Sequence, residues 1–166
     1  MPLRARVESN PETLQDLDIA GEQHYWEAIE MMVCQHNATG IYLMGYVAEI
    51  LLKAAYFRLS GAALADPLDA YLRPARNLMR TRYRVIDAEG GHGLFYWLTL
   101  LRMRRQILTR PLSVDTEMRL VRAIRRLRQE WWVGMRYRPD QASPEEAQLV
   151  YNEVSWLRAN YLTFWR

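Results

Sequence analysis

The sequence predicts an all-α fold, and three observations lead to that prediction. Apolar residues recur every three or four positions in most segments, which is the spacing of one face of a helix. No alternating strand pattern of useful length is visible. Between residues 41 and 59 almost every position is apolar, so a helix here must be covered on all sides. With 166 residues the chain is long enough for one domain, residues 1–166, with a normal core.

The first half of the chain contains start and stop signals for three helices. Ser9-Asn10-Pro11-Glu12 predicts the start of a first helix that ends near His36-Asn37. The apolar helix follows after a very short turn and ends at Ser60-Gly61, so these two helices should pack antiparallel. A shorter helix should begin at Asp66-Pro67, and Pro74 is a potential break in it.

The second half of the chain predicts three further helices that are separated by loops. The first extends from residue 94 to about residue 109, and the second covers residues 113–132. The third begins with a capping box at Ser143-Pro144-Glu145-Glu146 and continues nearly to the last residue. Residues 82–93 and 134–143 are predicted as loops.

Glu49 and Lys53 are charged exceptions within the apolar helix. Two charges in the middle of the segment, and a length near the lower limit for spanning, argue against a membrane helix. Because they are four positions apart, with the acid first, the two side chains share a helix face. Lys53 is also the only lysine in the chain. The pair either forms an internal ion pair that closes a helix–helix contact, or it faces a cleft or a partner.

Charge is distributed unevenly along the chain, whose formal net charge is +3. Residues 1–70 carry 4 basic and 10 acidic groups, whereas residues 71–138 carry 16 basic and 5 acidic groups. The polar face of the helix predicted at residues 113–132 consists of arginines, among them Arg119, Arg122 and Arg126. Such a segment would attract an anionic partner. Alternatively, it would balance the acidic first third within the fold or across a dimer.

Few residue patterns indicate a catalytic or metal site. His24, His36 and His92 lie far apart at no recognisable ligand spacing, so we predict no metal and no cofactor. Cys34 is the only cysteine, which excludes an intrachain disulfide and a cysteine-based zinc site. Gly90-Gly91-His92-Gly93 could hold a phosphate at a helix start, but no Gly-Lys-Ser/Thr follows it. A glycine turn into the next helix is the simpler interpretation.

The compartment is predicted from the N-terminus and the cysteine content. Met-Pro-Leu-Arg-Ala-Arg is followed by no apolar run, so we expect no signal peptide. A single cysteine is typical of a reducing environment. Both observations favour a cytoplasmic protein that does not enter a membrane.

Three segments resemble the HEPN domain family. Residues 42–54, Tyr42-Leu-Met-Gly-Tyr-Val-Ala-Glu49-Ile-Leu-Leu-Lys53-Ala, resemble its signature helix, which reads roughly small-Gly-aromatic-x-x-Glu-x-x-Leu-Lys-Ala. Gly91-His92-Gly93-Leu94 resembles the family's Gly-His-x-Leu step into the next core helix. Arg136-Tyr137-Arg138-Pro139-Asp140 resembles its Arg-Tyr-Pro-Asp segment. The three segments occur in the family's order and extend over most of the chain.

The resemblance implies a four- or five-helix up-and-down bundle, usually a dimer, that often accompanies a minimal nucleotidyltransferase. It selects the residues shared with the family: Glu49, Lys53, His92, Arg136, Tyr137 and Arg138. Many members are RNases of toxin–antitoxin or phage-defence systems, and they use an arginine, four to six intervening residues and a histidine near a dimer seam. No histidine here has an arginine at that spacing, since seven residues separate Arg84 from His92. We therefore predict no catalytic residue.

Three hypotheses for the function follow. The leading one is a non-catalytic, HEPN-like homodimer that binds a nucleotide, RNA or a nucleotidyltransferase partner through its arginine-rich surface. The second is a metal-independent RNase toxin whose degenerate site is built from Arg84, His92 and nearby arginines. The third is a structural partner protein whose arginines contact acidic helices.

Overall fold

A computed structural model describes residues 12–82, 92–137 and 141–166. In these ranges it contains seven α-helices, one short 3-10 helix and no β-strand. The helices are α1 (Leu14–Val33), α2 (Asn37–Leu59), α3 (Asp69–Arg82), α4 (Leu94–Ile107), α5 (Val114–Glu130), the 3-10 helix (Val133–Tyr137), α6 (Pro144–Ala159) and α7 (Tyr161–Trp165). The all-α prediction is confirmed.

Helix α2 lies at the centre of the fold. Buried residues occur on every side of it, from Gly40 to Leu59, because α1, α4, α6 and α7 all pack against it. Helix α1 makes the most extensive contact with α2, from which only residues 34–36 separate it. Such a short connection between packed helices makes them antiparallel neighbours, as the sequence predicts.

Helix α2 is also long and apolar enough to cross a membrane by length and composition. In the protein, however, 67% of its most apolar 18-residue window is buried by the rest of the chain. The core helix of a bundle meets the same length and composition criteria. The structure thus gives the apolar surface of α2 a cover within the chain itself.

Two glycines let neighbouring segments approach α2 closely. A Cβ atom on Gly45 would lie 2.0 Å from the ring of Trp131, and one on Gly40 would lie 2.5 Å from Met32. Trp131 fills the space beside Gly45 and donates a hydrogen bond of 3.0 Å from Nε1 to the carbonyl oxygen of Tyr42. The end of α5 is therefore fixed against the first half of α2.

Helix α1 begins later than the sequence predicts. Thr13 is its N-cap and forms a capping box with Asp16, so the helix starts at Leu14 and not within residues 9–12. Glu12 precedes the helix, and Ser9, Asn10 and Pro11 lie outside the described residues. A threonine three positions before an aspartate satisfies the first free amides of the helix, which explains this start.

Helix α3 begins at Asp69 and not at Asp66-Pro67, whereas several other predicted boundaries are confirmed. Ser113 caps α5, and Ser143 forms the predicted capping box at the start of α6. Helix α2 ends before Gly61, whose φ of +92° lies in the left-handed region that favours glycine. Helix α4 starts at Leu94, and the predicted loop before it lies mostly outside the described residues.

Three predictions about helix continuity are wrong. Pro74 does not break α3, because it removes only the hydrogen bond to the carbonyl of Ala70 near the start of the helix. The predicted loop after α5 begins with a 3-10 helix. The predicted last helix is divided at Asn160, whose backbone nitrogen and side-chain Nδ2 donate to the carbonyl oxygen of Trp156 at 3.1 and 2.9 Å.

Candidate functional site

A polar stripe follows one face of α2. Tyr42, Tyr46, Glu49 and Lys53 have the spacing i, i+4, i+7 and i+11, so their side chains lie along the same side of the helix. Most other side chains of α2 are apolar and buried, and Arg58 near its end is paired with Asp18 of α1. The stripe is therefore the part of the central helix that can carry chemistry.

Glu49 joins three of the predicted site residues into one cluster, which we call the Glu49 cluster (Glu49, Lys53 and His92). Its carboxylate is 2% exposed and accepts a hydrogen bond from Lys53 Nζ. His92 Nδ1 lies 3.2 Å from Oε1 and 3.0 Å from Oε2 of the same carboxylate. The predicted internal ion pair is thus confirmed. Because His92 immediately precedes α4, the carboxylate also closes a contact between α2 and the start of α4.

Aromatic rings surround the Glu49 cluster. Lys53 Nζ lies 5.2 Å from the centre of the Trp97 ring, a cation–π distance. Tyr46 meets the His92 ring edge to face, with 5.8 Å between ring centres. The hydroxyl of Tyr46 hydrogen-bonds to that of Tyr42 at 3.0 Å. These rings are not among the predicted site residues. The spacing of Tyr42 and Tyr46 relative to Glu49 indicates two of them, whereas no spacing signal indicates Trp97 on α4.

The geometry of His92 allows two roles. Glu49 engages Nδ1 and thereby orients the ring, which leaves Nε2 for another partner, and the side chain is 40% exposed. An oriented, accessible imidazole can serve as a general base. Lys53 competes for the same carboxylate, however, and already neutralises its charge. In the described residues no arginine contacts this imidazole, so the arrangement equally serves as a cross-link between helices.

The arginines predicted to bind anions fall into two groups. Arg119 and Arg126 both donate to Glu153 on α6, Arg126 through Nη1 at 2.8 Å, and that carboxylate is 2% exposed. The guanidinium of Arg119 also lies 4.6 Å from the ring centre of Trp156. These two arginines therefore join α5 to α6, and the prediction that they serve an anionic partner alone is incomplete.

Arg122 belongs to the second group, together with Arg125. Both are exposed on the outer side of α5, and neither forms an ion pair or a hydrogen bond in the described structure. Beside them, a groove of about 650 Å³ is lined by Arg119, Arg126, Pro144, Glu145, Gln148, Leu149, Asn152 and Glu153. The outer side of α5 thus presents cations that the fold itself does not use.

The acidic first third of the chain is balanced by other arginines. Arg58 of α2 pairs with Asp18, and Arg158 of α6 pairs with Glu22. Hydrogen bonds from Arg158 lower the pKa of the Glu22 carboxyl below its usual value of 4.5. Apart from the pair between Asp69 and Arg73 within α3, no described ion pair joins an acid of residues 1–70 to an arginine of residues 71–138. Among the described residues, direct ion pairs to the arginines of residues 71–138 therefore contribute little to balancing the acids of residues 1–70.

The third matched segment contributes little to the described site. Arg136 and Tyr137 belong to the 3-10 helix after α5, but the structure describes only their backbone. Arg138 lies outside the described residues, as do Arg84, Gly90 and Gly91. The structure therefore brings together three of the nine predicted site residues in the Glu49 cluster and two more around Glu153.

No metal site is formed by the part of the chain that the structure describes. It contains no group of three or more His, Cys, Asp or Glu residues that could hold an ion. His24 pairs with Glu27 on α1, with 3.0 Å between Nδ1 and Oε2, and Cys34 is exposed.

No family model, curated protein or solved structure matches the chain. The described chain thus has two candidate functional regions, the Glu49 cluster with its aromatic rings and the outer side of α5.

Proposed function

We propose that the protein is a non-catalytic, HEPN-like homodimer that binds RNA through the arginine-rich outer side of α5. The observation that carries this proposal is the pair Arg122 and Arg125, which are exposed and unpaired in the described structure while their neighbours Arg119 and Arg126 are held by Glu153. The setting we propose is a cytoplasmic toxin–antitoxin or defence system.

The chemistry of arginine favours a phosphate ligand on this surface. A guanidinium presents its N–H groups in a planar fork that matches phosphate oxygens and needs little reorganisation. Arg126 uses Nη1 for Glu153 and its side chain is half exposed, so it keeps donors for a ligand. Arg122, Arg125 and Arg126 thus offer adjacent cations along one helix, which suits a chain of phosphates better than a single one.

The convergence of Glu49, Lys53 and His92 supports the HEPN-like part of the proposal. Glu49 and Lys53 come from one matched segment, and His92 comes from another, 43 positions from Glu49. Lys53 and His92 both contact the buried carboxylate of Glu49. A spatially connected set is what a shared fold would produce, whereas chance matches would be scattered. We propose that their role is to hold α4 against α2.

A salt-dependent binding measurement tests the RNA proposal. Labelled single-stranded RNA should bind the wild-type protein at low salt and dissociate as salt rises, because phosphate contacts release counterions. Arg122→Ala with Arg125→Ala should weaken binding and reduce the slope of log affinity against log salt by about 1.4, or about 0.7 per lost phosphate contact. Arg76→Ala with Arg80→Ala, on the exposed side of α3, is the matched control and should have little effect.

Two other binding partners predict different results in the same experiment. If α5 binds a nucleotidyltransferase instead, RNA should not bind the wild-type protein at low salt. The double variant should then fail to bind the nucleotidyltransferase. A mononucleotide would compete with RNA and give a shallower salt dependence. Failure of every polyanion to bind at low salt would exclude the proposal and leave the structural-partner hypothesis.

A metal-independent RNase is the second candidate, and the contact between Glu49 and His92 is the observation that favours it. The carboxylate orients the imidazole, as a general base requires. Incubation of purified protein with RNA, with chelator or with magnesium, should leave the RNA intact if the first proposal is correct. Cleavage that His92→Ala abolishes would establish the enzyme instead.

A further inference from the structure

Three large apolar side chains form an exposed stripe on α1. Ile19, Trp26 and Val33 are 48%, 56% and 78% exposed. They are spaced by seven residues, so they lie on one line along the side of α1 that faces away from α2. Each lies two helical turns, or about 10.5 Å, from the next, so this side of α1 carries three exposed apolar groups in a row and is a candidate interaction surface.

The acids around this stripe are only partly compensated. Asp18 and Glu22 pair with Arg58 and Arg158, and the guanidinium of Arg158 lies 5.9 Å from the ring centre of Trp26. Residues 14–33 contain no lysine or arginine, and their acids are Asp16, Asp18, Glu22, Glu27 and Glu30. Glu30 has no ion-pair partner in the described structure, and Glu27 is paired only with His24. Two copies that met through this helix alone would bring Glu27 and Glu30, which have no arginine partner in the described structure, close to the same acids of the other copy, which is unfavourable. A partner face that carries apolar and basic groups fits this end of the stripe better.

Helix α5 presents such a surface. Val114 and Met118 are 72% and 55% exposed on its outer side, and Arg122 and Arg125 continue the same side toward the C-terminal end. Their positions follow the i, i+4, i+8 and i+11 spacing of one helix face. Two exposed apolar side chains on a face with unpaired arginines are the complement of the α1 stripe.

We infer that the acidic, apolar face of α1 docks on the basic, apolar face of α5 in a second copy of this chain. Burial of Trp26 and Met118 would supply the apolar part of the contact. Glu27 and Glu30 opposite Arg122 and Arg125 would select the partner face through opposite charge.

The inference rests on the proposed function and changes it in one respect. It builds the interface of the proposed homodimer from the arginines that are proposed to bind RNA, so the homodimer becomes the RNA-free form and the RNA-bound form is a monomer. RNA and the second copy would then compete for the same face. Since the two docking faces differ, each copy presents one α1 face and one α5 face. The contacts close into a dimer if a two-fold axis relates them, and they otherwise extend into a chain of copies.

Charge reversal with compensation tests the interface. Sedimentation of the wild-type protein at micromolar concentration should give a species of at least twice 19.7 kDa. Either Glu27→Arg with Glu30→Arg or Arg122→Glu with Arg125→Glu should produce monomer, and equal mixing of these two variants should restore association between them. Arg76→Glu with Arg80→Glu on α3 makes the same charge change elsewhere and should leave association unchanged. A wild-type monomer, or a mixture that stays monomeric, would overturn the inference.

The single cysteine supplies a second test that does not depend on charge. Cys34 is exposed and directly follows Val33 at the end of the stripe. Val114→Cys and Gln129→Cys place a cysteine at opposite ends of α5. Under mild oxidation one of these two variants should form an intermolecular disulfide with Cys34. Which one does so depends on whether α1 and α5 pack parallel or antiparallel. Thr81→Cys on α3 is the control. Cross-linking in neither α5 variant while the protein is associated would place the interface elsewhere.

The two proposals can fail separately. If the charge reversals on α5 abolish RNA binding while association persists, the RNA proposal stands and the interface is wrong. If the compensated pair restores association while no polyanion binds the wild-type protein, the interface stands and the RNA proposal is wrong. If both proposals hold, RNA should convert the associated species into RNA-bound monomer.

Discussion

The Glu49 cluster and the outer side of α5 differ in whether their charged side chains are buried and paired. In the cluster, the carboxylate is buried and is contacted by both a lysine and a histidine. On α5, Arg122 and Arg125 remain in solvent without a partner in the described structure. A buried charge must be paired, because its desolvation is unfavourable by several kcal/mol in a protein, whereas an exposed charge has no such requirement.

The comparison distinguishes residues that hold the fold from residues that are free to serve a partner. Glu153 lies between the two extremes. It is as buried as Glu49, but its cationic partners Arg119 and Arg126 are 29% and 50% exposed, whereas Lys53, the cationic partner of Glu49, is 16% exposed. Removing a charge should therefore have the largest effect on folding at Glu49, an intermediate effect at Glu153 and the smallest effect at Arg122 and Arg125.

The largest expected effect is at Glu49. Glu49→Ala strands Lys53 beside the core and should reduce the free energy of unfolding by about 3–5 kcal/mol. Lys53→Met should be tolerated better, because the carboxylate keeps His92 as a partner. Glu49→Leu combined with Lys53→Met removes both charges and should be more stable than Glu49→Ala. Urea unfolding measures all three variants, and equal stability of all three with wild type would show that the pair is not a buried one.

Sequence reasoning predicted the Glu49–Lys53 pair because spacing along one helix determines it. The contact with His92 depends on how α4 meets α2, so residue spacing could not predict it, and only the family resemblance named that histidine. The pairing of Arg119 and Arg126 with Glu153 was missed for the same reason, since 34 and 27 positions separate the partners. Local caps such as Ser143 were predicted correctly, because the residues that form them are three positions apart.

The intermediate effect is expected at Glu153. Glu153→Gln weakens two charge-assisted hydrogen bonds and should reduce the free energy of unfolding by about 1–3 kcal/mol. It should also increase RNA affinity at low salt, because Arg119 and Arg126 are released from their internal carboxylate. Glu145→Gln is the matched control, since it removes the same charge from the same groove at a residue that no arginine contacts in the described structure. Equal gains in RNA affinity for both variants would show that only net charge matters.

A smaller effect is expected from the partly exposed pair between Glu22 and Arg158. Arg158 donates to the carboxylate through Nε at 2.9 Å and Nη2 at 2.7 Å, and this lowers the pKa of Glu22 in the folded protein. A carboxyl whose pKa is lower in the folded than in the unfolded state stabilises the fold above its unfolded pKa, and this stabilisation is lost as pH falls.

The stability of wild type relative to Glu22→Gln should therefore be constant from pH 7 to about pH 5 and should decrease below the usual pKa of 4.5. Because the pair is partly exposed, the difference at pH 7 should be only about 0.2–1 kcal/mol. Unfolding curves of both proteins across this range measure it. A difference that grew on acidification would contradict the assigned direction of the pKa shift.

The smallest effect on folding, and the sharpest contrast with Glu49, is expected at Arg122 and Arg125. Replacing both by alanine should change the free energy of unfolding by less than about 0.5 kcal/mol each, because exposed residues without partners contribute little to stability. The same variant should lose much of its RNA binding at low salt, and this separation of stability from binding is what identifies a surface that serves a partner. If the double variant unfolded as easily as Glu49→Ala, the two arginines would be part of the fold, and the distinction between the two regions would not hold.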